Sequence, residues 1–350
     1  MTAGLTNALR RPLAAADAGL DRLYGWRHNP LYQSGSIAVV ALAVMLVTGL
    51  YLLLFYRIGA PYESMVRIDA QLAAGRWIRA LHRYAADLAV VAAVVHAFRM
   101  FVQRRSWGPR TLAWLSGLVL LGLLSVCGWT GYVMVWDTHG QWLAIEGARL
   151  LDALPLFAQP IARAFTGETP MPGAFFFLNL FAHIALPIGL ALVLWLHLSR
   201  LARPVLLPPR PLLYALLGGL LVVSVAAPPA LNPRADLLAV PGTIEIDVFY
   251  GFWLPLVHRL EPGVSWALLG ALLLPVALVP WWSRPAPDAR PQKSHDDEHL
   301  CTGCVQCTLD CPYSAIDMVA GPRGHDVAQV DPALCVGCGI CAASCAPMAI

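Results

Sequence analysis

Two apolar segments of this chain each carry two histidines that lie fourteen residues apart. The segment RWIRALHRYAADLAVVAAVVHAFR contains His82 and His96, and the segment FFFLNLFAHIALPIGLALVLWLHLSR contains His183 and His197. In an α-helix, fourteen residues rise about 21 Å and end on nearly the same face. Each segment therefore presents its histidines at two levels, one near each surface of a membrane.

Packed side by side, the two helices would set His82 opposite His183 and His96 opposite His197. Ionisable side chains inside a membrane are costly and are usually partnered. Four histidines at one repeated spacing favour two stacked bis-histidine haems, which together form an electron path across the membrane. For any single histidine the alternative is a hydrogen-bonded core position. Zinc is a weaker alternative, because two ligands per level fall short of its usual tetrahedral set.

The composition places the chain in a membrane. Of its 350 residues, 58% are hydrophobic and only 13% are charged, which is far from the composition of a soluble domain. The net charge of +3 gives no argument for nucleic-acid binding. The N-terminal stretch LTNALRRPLAAADAGLDRLYGW indicates an amphipathic helix at the membrane surface rather than a signal peptide. Apolar runs long enough to span a bilayer occur at residues 36–56, 78–101, 112–135, 174–198, 211–228 and 264–282.

Two other apolar runs carry glycines at the same interval as the histidines. Gly35 and Gly49 lie in the first run, and Gly117 and Gly131 lie in the third. Glycine lets membrane helices approach closely, so ordinary small-residue packing is one interpretation. Because the glycine interval equals the histidine interval, we expect these positions to leave room for a flat porphyrin edge at each haem level.

The C-terminal end contains eight of the nine cysteines. They form two copies of C-x2-C-x2-C-x3-C, in CTGCVQCTLDCP and CVGCGICAASCAP. This run is typical of two 4Fe-4S clusters, in which the fourth cysteine of each run ligates the other cluster. A zinc ribbon would show paired C-x2-C motifs instead. The predicted ligand sets are Cys301, Cys304, Cys307 and Cys345 for one cluster, and Cys335, Cys338, Cys341 and Cys311 for the other.

The second cysteine run departs from the usual form, because Ala346 separates Cys345 from the following proline. The printed sequence also ends at Ile350, so we expect the last strand of a ferredoxin-like domain to be short or missing.

The histidine helices and the run TLAWLSGLVLLGLLSVCGWTGYVMVWD closely resemble cytochrome b of the quinol-oxidising cytochrome bc complexes, over about residues 20–200. The resemblance implies a low-potential outer haem on His82 and His183 and a high-potential inner haem on His96 and His197. It also implies that the propionates of the haems contact three arginines, Arg79, Arg83 and Arg99.

Residues 211–285 resemble more faintly the small subunit of chloroplast-type complexes. In the loop between their two helices, relatives carry a Pro-Glu-Trp-Tyr motif whose glutamate takes a proton from quinol. This chain lacks the motif, and its nearest equivalents are Asp247 and Tyr250, or Glu245 in a shifted register. The alternative is that Asp247 and Glu245 are solvated loop carboxylates without a role in quinol deprotonation. The segment LLDALPLFAQPIARAF is expected to form short helices over an outer quinol pocket, or else a surface loop.

Chloroplast-type relatives attach an extra haem through a cysteine beside the first glycine. Here that stretch reads YQSGS, so we expect no covalent haem. The remaining cysteine, Cys127, is predicted to be a buried small apolar residue.

The expected fold is an all-α membrane protein with a four-helix dihaem bundle and two further transmembrane helices, followed by a small α+β ferredoxin-like domain. Loop arginines and the need of iron-sulfur clusters for a reducing compartment both place the two termini on the cytoplasmic side of the inner membrane. The expected division is a surface helix at 1–30, the dihaem bundle at 31–205, a two-helix part at 206–285, a linker at 286–299 and the ferredoxin domain at 300–350.

The resemblance and the cysteine runs together imply a membrane electron-transfer subunit that exchanges electrons with the quinone pool and a cytoplasmic redox partner. The chain has no Rieske-type head and no C-x-x-C-H haem site, so a Rieske-type protein and a c-type cytochrome would be separate subunits, and relatives imply a homodimer. The alternative is a membrane anchor and electron relay for a cytoplasmic dehydrogenase or reductase, without an outer quinol site. A transporter is disfavoured because no inverted repeat of broken helices is evident.

Overall fold

The structure is a computed structural model that describes residues 2–71, 74–103, 105–107, 110–155, 159–166, 171–199, 205–239, 247–282, 296–311, 313–335, 337 and 339–350. In chain order its α-helices are α1 Thr2–Tyr24, α2 Ser34–Leu53, α3 Pro61–Gln71, α4 Gly75–Val102, α5 Thr111–Val135, α6 Thr138–Asp152, α7 Gly173–Leu198, α8 Arg210–Ala226, α9 Leu254–Arg259, α10 Pro262–Ala277, α11 Val279–Trp282, α12 Gln306–Asp310 and α13 Ile340–Ser344. Short 3-10 helices occupy Trp26–His28 and Ile161–Phe165.

Four helices, α2, α4, α5 and α7, are long and apolar enough to cross a membrane. Large side chains on α7 face outward, since Ile188 is 70% exposed and Leu192 is 60% exposed. Such a surface is stable only against lipid or another apolar surface. The predicted all-α membrane fold is therefore confirmed. Helices α8 and α10 are apolar but shorter than the roughly 20 residues of a typical span, and their role as two further spans stays a prediction.

The four long helices pack in two neighbouring pairs, α2 with α4 and α5 with α7. At the centre, Ala41 of α2 and Ala89 of α4 are fully buried against Leu124 of α5 and Leu190 of α7. Alanine lets the helix backbones approach closely, which favours tight packing in a membrane. The histidine-bearing helices α4 and α7 are thereby each backed by a glycine-bearing helix.

Helix α6 begins directly after α5 because Asp137 caps its first turn. The Asp137 carboxylate accepts a hydrogen bond from the Gly140 N–H at 2.9 Å, and Trp136 turns the chain with a left-handed backbone, φ 56°. Short helices are predicted for the segment LLDALPLFAQPIARAF, but the main helix in this region starts twelve residues before that segment, at Thr138. The same carboxylate also accepts from the Asn232 side chain at 3.0 Å, which fixes the loop after α8 against α6.

The C-terminal part is small and mixed. Strands β1 (Ile316–Ala320) and β2 (Asp326–Val330) pair antiparallel, with Ile316 opposite Val330, and α12 packs against α13. Buried cysteines and the inner residues of both strands form its core. The predicted α+β C-terminal unit is confirmed in this form. The residues of the predicted linker at 286–295 lie outside the described residues.

Candidate redox sites

The four histidines meet in the two predicted pairs. The ring centres of His82 and His183 lie 6.4 Å apart, and those of His96 and His197 lie 6.5 Å apart. An imidazole nitrogen binds a transition metal at about 2.0 Å, so two rings on opposite sides of one metal ion have their centres about 6 Å apart. Both pairs therefore have the separation that a single iron between them requires.

Each of the four predicted glycines lies against one histidine ring. A methyl group built on Gly35 would come within 3.1 Å of His96, and one on Gly49 within 3.2 Å of His82. On α5, the corresponding distances are 3.4 Å from Gly117 to His197 and 3.0 Å from Gly131 to His183. The glycines thus make room for the imidazoles themselves, in addition to any porphyrin edge.

A serine or threonine directly precedes each of these four glycines, a feature that was not predicted from the sequence. Thr48 Oγ1 lies 2.9 Å from His82 Nδ1, Ser116 Oγ lies 3.1 Å from His197 Nδ1, and Thr130 Oγ1 lies 3.0 Å from His183 Nδ1. Ser34 stands in the same position before Gly35. The signal that identifies these residues is a Ser-Gly or Thr-Gly dipeptide that recurs at fourteen residues on both α2 and α5.

These hydroxyls set the orientation of the rings. Thr48 donates its own proton to the Val44 carbonyl, and Thr130 and Ser116 likewise donate to carbonyls one turn earlier. Their oxygens are then acceptors for the Nδ1–H groups of the histidines. This arrangement leaves the Nε2 lone pair for a metal, as metal-binding histidines usually require. The residues present therefore fit bis-histidine haem at both levels.

The three arginines expected at haem propionates all have protein carboxylates as partners. Arg79 Nε lies 2.6 Å from Asp69, Arg99 Nη1 lies 2.6 Å from Asp17, and Arg83 pairs with Asp247. The Arg99 pair is almost fully buried and joins α1 to the end of α4. The arginines sit at the two ends of the histidine helix, and their carboxylate partners already satisfy part of their charge.

The C-terminal cysteines surround a cavity. It is lined by Cys301, Cys304, Cys307 and Cys345, the predicted ligand set of one cluster, together with Met318 and Ala328. Backbone N–H groups point at two of the sulfurs, from Ala349 to Cys345 at 3.1 Å and from Ala328 to Cys301 at 3.4 Å. Such bonds stabilise charged cluster sulfurs and tune their potential.

The second predicted ligand set is described only in part. Cys311 and Cys335 pack on the core of the C-terminal unit, and Cys341 lies within it. Cys338 lies outside the described residues. A cubane cluster is held by four thiolates, and the three described cysteines of this set lie on or within the same core.

The C-terminal unit contacts the end of α4 where His96 lies. Arg105 Nη2 donates to the Cys345 carbonyl at 2.7 Å and also to the Ala342 carbonyl. Arg99 Nη2 donates to the Ala346 carbonyl at 3.3 Å. Arg105 also interacts electrostatically with the His96 ring and the Cys345 thiol, a role that no sequence motif indicated.

The predicted quinol residues lie at the opposite end of the bundle. Asp247 is 8% exposed at its side chain, and its Oδ1 accepts from the Phe249 N–H at 3.0 Å and the Tyr250 N–H at 2.5 Å. Tyr250 donates from its hydroxyl to the Ala86 carbonyl at 3.0 Å, and its ring packs directly on Gly128 of α5. Glu245 lies outside the described residues. The turn at 247–250 is therefore held against α4 and α5.

Cys127 is only half-buried, and it contacts one of the predicted haem ligands. Its Sγ lies 3.7 Å from His183 Nδ1 and 3.9 Å from the His183 carbonyl. It packs as a small side chain in this position, next to Thr130.

Comparisons with known proteins identify the families to which two parts of the chain are similar. Residues 23–204, more than half of the chain, match the profile of the family described as cytochrome b/b6/petB, and residues 300–349 match the 4Fe-4S dicluster domain. The menaquinol:cytochrome c reductase cytochrome b subunit of Geobacillus thermodenitrificans is 25% identical over 177 residues, covering 49% of this chain and 79% of that protein.

The fold also resembles a solved structure. A chain of a hyperthermophilic respiratory Complex III superposes with a TM-score of 0.55 at 19% identity, covering 75% of this chain and 78% of that chain. The family match, the four apolar helices and the cysteine runs identify a multi-pass membrane protein with electron-transfer cofactors. This chain therefore belongs to the cytochrome b/b6 family and carries a 4Fe-4S dicluster domain at its C-terminal end.

Proposed function

We propose that this chain is the membrane electron-transfer subunit of a bc-type quinol oxidoreductase, and that it passes electrons between the quinone pool and its own ferredoxin domain. The observation that carries the proposal is the placement of the C-terminal unit, which contacts the end of α4 at the level of His96. A redox path from one membrane face to the other is then continuous within one polypeptide.

In this proposal His82 and His183 hold the outer haem b, and His96 and His197 hold the inner one. The four glycines position the rings, and the hydroxyls of Thr48, Ser116 and Thr130 orient three of them. The haems supply reversible one-electron transfer when bound. Quinol releases two electrons and two protons on oxidation, so the chain must also provide a site that accepts protons at the membrane surface.

The proposed quinol site lies at the outer end of the bundle, between α4, α5 and the turn that contains Asp247 and Tyr250. Arg83 of α4 contacts two residues of this site. Its guanidinium lies 4.5 Å from the Tyr132 ring centre and pairs with the Asp247 carboxylate. Helix α6 lies beside the site, and hydrogen bonds of Asp137 and Gln141 join this helix to the loop after α8.

The proposed domain division follows the sequence prediction, with a surface helix, the dihaem bundle, a two-helix part and the ferredoxin domain. We place both termini and the ferredoxin domain in the cytoplasm. High-potential acceptors for the second electron, a Rieske-type protein and a c-type cytochrome, would be separate subunits, and the assembly would be a homodimer. The relative from Geobacillus thermodenitrificans, named for menaquinol and cytochrome c, supports this class of reaction.

A relay without an outer quinol site is the second candidate. One observation favours it: both Asp247 oxygens already accept hydrogen bonds, from Arg83 and from two backbone N–H groups. Oxygens that already accept these hydrogen bonds are less available to accept a proton from quinol. This candidate predicts a protein that exchanges electrons between its clusters and haems but does not oxidise quinol at the outer face.

An anaerobic redox titration with optical and EPR detection, followed by mixing with quinol, tests the proposed function. We expect two b-type haems and two 4Fe-4S signals, and we expect quinol to reduce the haems. Haems reduced by dithionite but never by quinol would support the relay. Absence of two b haems would overturn both candidates.

Replacement of Arg105 by Gln tests the junction between the haems and the clusters. The variant loses hydrogen bonds to the Cys345 and Ala342 carbonyls, and each such charged bond contributes about 1.5–3 kcal/mol. We expect electron transfer between the clusters and the inner haem to slow by about tenfold or more. Stopped-flow absorbance of the haem, recorded after chemical reduction of the clusters, measures the rate of this electron transfer.

Arg323→Gln is the matched control for this experiment. Arg323 also donates to the carbonyl of a ligand cysteine, Cys301, at 2.8 Å, but it does so from within the C-terminal unit. An equal loss of rate in both variants would show that the effect arises within the ferredoxin domain and not at its contact with α4.

A further inference from the structure

His139 is a buried histidine that the electron path does not use. It lies in the first turn of α6, is 6% exposed, and its Nε2 has no hydrogen-bond partner among the described residues. A buried polar atom without a partner costs about 1–3 kcal/mol. Such an atom calls for an explanation, and a group that binds there only during function is one.

The neighbours of His139 place it at the proposed quinol site. Its ring centre lies 4.8 Å from that of Tyr132, whose own ring faces Tyr250 at 6.0 Å. A methyl group built on Gly251 would lie 3.3 Å from His139 Nε2 and 3.5 Å from Asp247 Cβ. The free nitrogen therefore lies beside the same turn that carries Asp247.

Asp247 differs from His139 because both of its carboxylate oxygens already accept hydrogen bonds. Its Oδ2 faces Arg83, and its Oδ1 caps the turn by accepting two backbone N–H groups. These contacts suit a positioning role. His139 Nε2, in contrast, is a buried ring nitrogen with no hydrogen-bond partner among the described residues.

We propose that His139 Nε2 accepts a proton from the quinol hydroxyl, while Asp247 holds the turn and Arg83 in place. The quinol O–H bond breaks and an imidazole N–H bond forms. The electron released with this proton passes to a one-electron acceptor, either a haem iron or an external high-potential iron centre. The inference rests on the proposed outer quinol site.

The charge environment gives the step a pH dependence. Burial lowers the pKa of His139, while the carboxylates of Asp137 and Asp247 raise it and Arg83 lowers it. Among the described residues, Tyr132 is the further titratable group that packs on the ring. The neutral, accepting form is present above this pKa, so quinol oxidation should fall as the pH drops through it.

His139→Gln in the complete, cofactor-loaded protein tests the proposal. We expect quinol-driven haem reduction to slow by about 100-fold or more, as loss of a general base typically does. The remaining rate should no longer fall at acid pH, a fall that we call the acid limb of the pH profile. Reduction by dithionite, the haem content and the optical spectra should match those of the wild type.

Three further variants separate the outcomes. His258→Gln is the matched control, because His258 pairs with Glu146 at 2.7 Å and is half-exposed; it should keep both rate and acid limb. Gly251→Ala crowds Nε2 while keeping His139, and should lower the rate with the acid limb intact. Asp247→Asn should lower the rate of quinol-driven haem reduction but also keep the acid limb.

The two proposals fail in different ways. A wild-type protein whose haems quinol never reduces would overturn the proposed function itself. A wild type that oxidises quinol while His139→Gln retains its rate and its acid limb would overturn only the role of His139. Loss of the acid limb in Asp247→Asn alone would assign the proton to the carboxylate instead.

Discussion

Replacing His82 and His183 together with alanine is expected to remove about half of the haem b and leave both iron-sulfur clusters in place. The two rings flank one position, with centres 6.4 Å apart, and no other histidine pair among the described residues lies at that level. Because axial histidines hold the iron, their loss should release the haem of that level alone. Haem per protein from the pyridine haemochrome, and cluster content from EPR, measure the result.

His258→Ala provides the control for this variant, since it removes a histidine that faces Glu146 and not a second histidine. It should retain both haems. Full haem content in the double variant would contradict the pairing, and loss of both haems would mean that the two levels depend on each other for assembly.

Gly131→Val is expected to reduce haem binding at the same level although neither predicted haem ligand is replaced. Even the first added carbon would lie 3.0 Å from His183 Cε1, closer than van der Waals contact allows. Overpacking of this kind costs about 1–3 kcal/mol, and here the ring must move for relief. We expect a shifted or partly lost haem spectrum, measured by optical and EPR spectroscopy of the oxidised protein.

Gly122→Val is the matched control on the same helix. A carbon added at Gly122 meets nothing within 4 Å, so the same substitution should leave both haem spectra unchanged. Identical spectra in the two variants would show that His183 can shift freely and that Gly131 does not position it.

The histidine pairing was predictable because it depends on two local quantities. Helix periodicity places His82 and His96 on one face, and apolar composition places that face in a membrane. The cysteine runs were equally local. For these features the chain needs no long-range information, and the structure brings the expected histidines together.

The rest depended on contacts between distant parts of the chain. Thr48 contacts the His82 ring because α2 and α4 pack antiparallel in one register, and the sequence of a single segment does not reveal that register. Arg105 acquires its position only when the C-terminal unit docks on α4. The start of α6 was a missed local signal, since Asp137 before a helical segment is a typical N-cap.

His139 illustrates a different limit of sequence reasoning. A lone histidine after a helix cap has many ordinary roles, and its residue type alone favours none of them. Its significance comes from burial without a partner beside Tyr132 and Gly251, and burial is a property of the folded chain.

The fixed interval of fourteen residues on the four long helices also determines where this protein can tolerate changes in length. Since each helix meets its partner at two points about 21 Å apart, the separation of the two proposed iron positions is set by helix geometry and not by the loops. One residue inserted between Gly35 and Gly49 would rotate one glycine by about 100° away from its histidine while the other stayed in place. We therefore expect natural length variation to occur in the connections, and the tunnelling distance between the haems to stay constant among variants that differ only there.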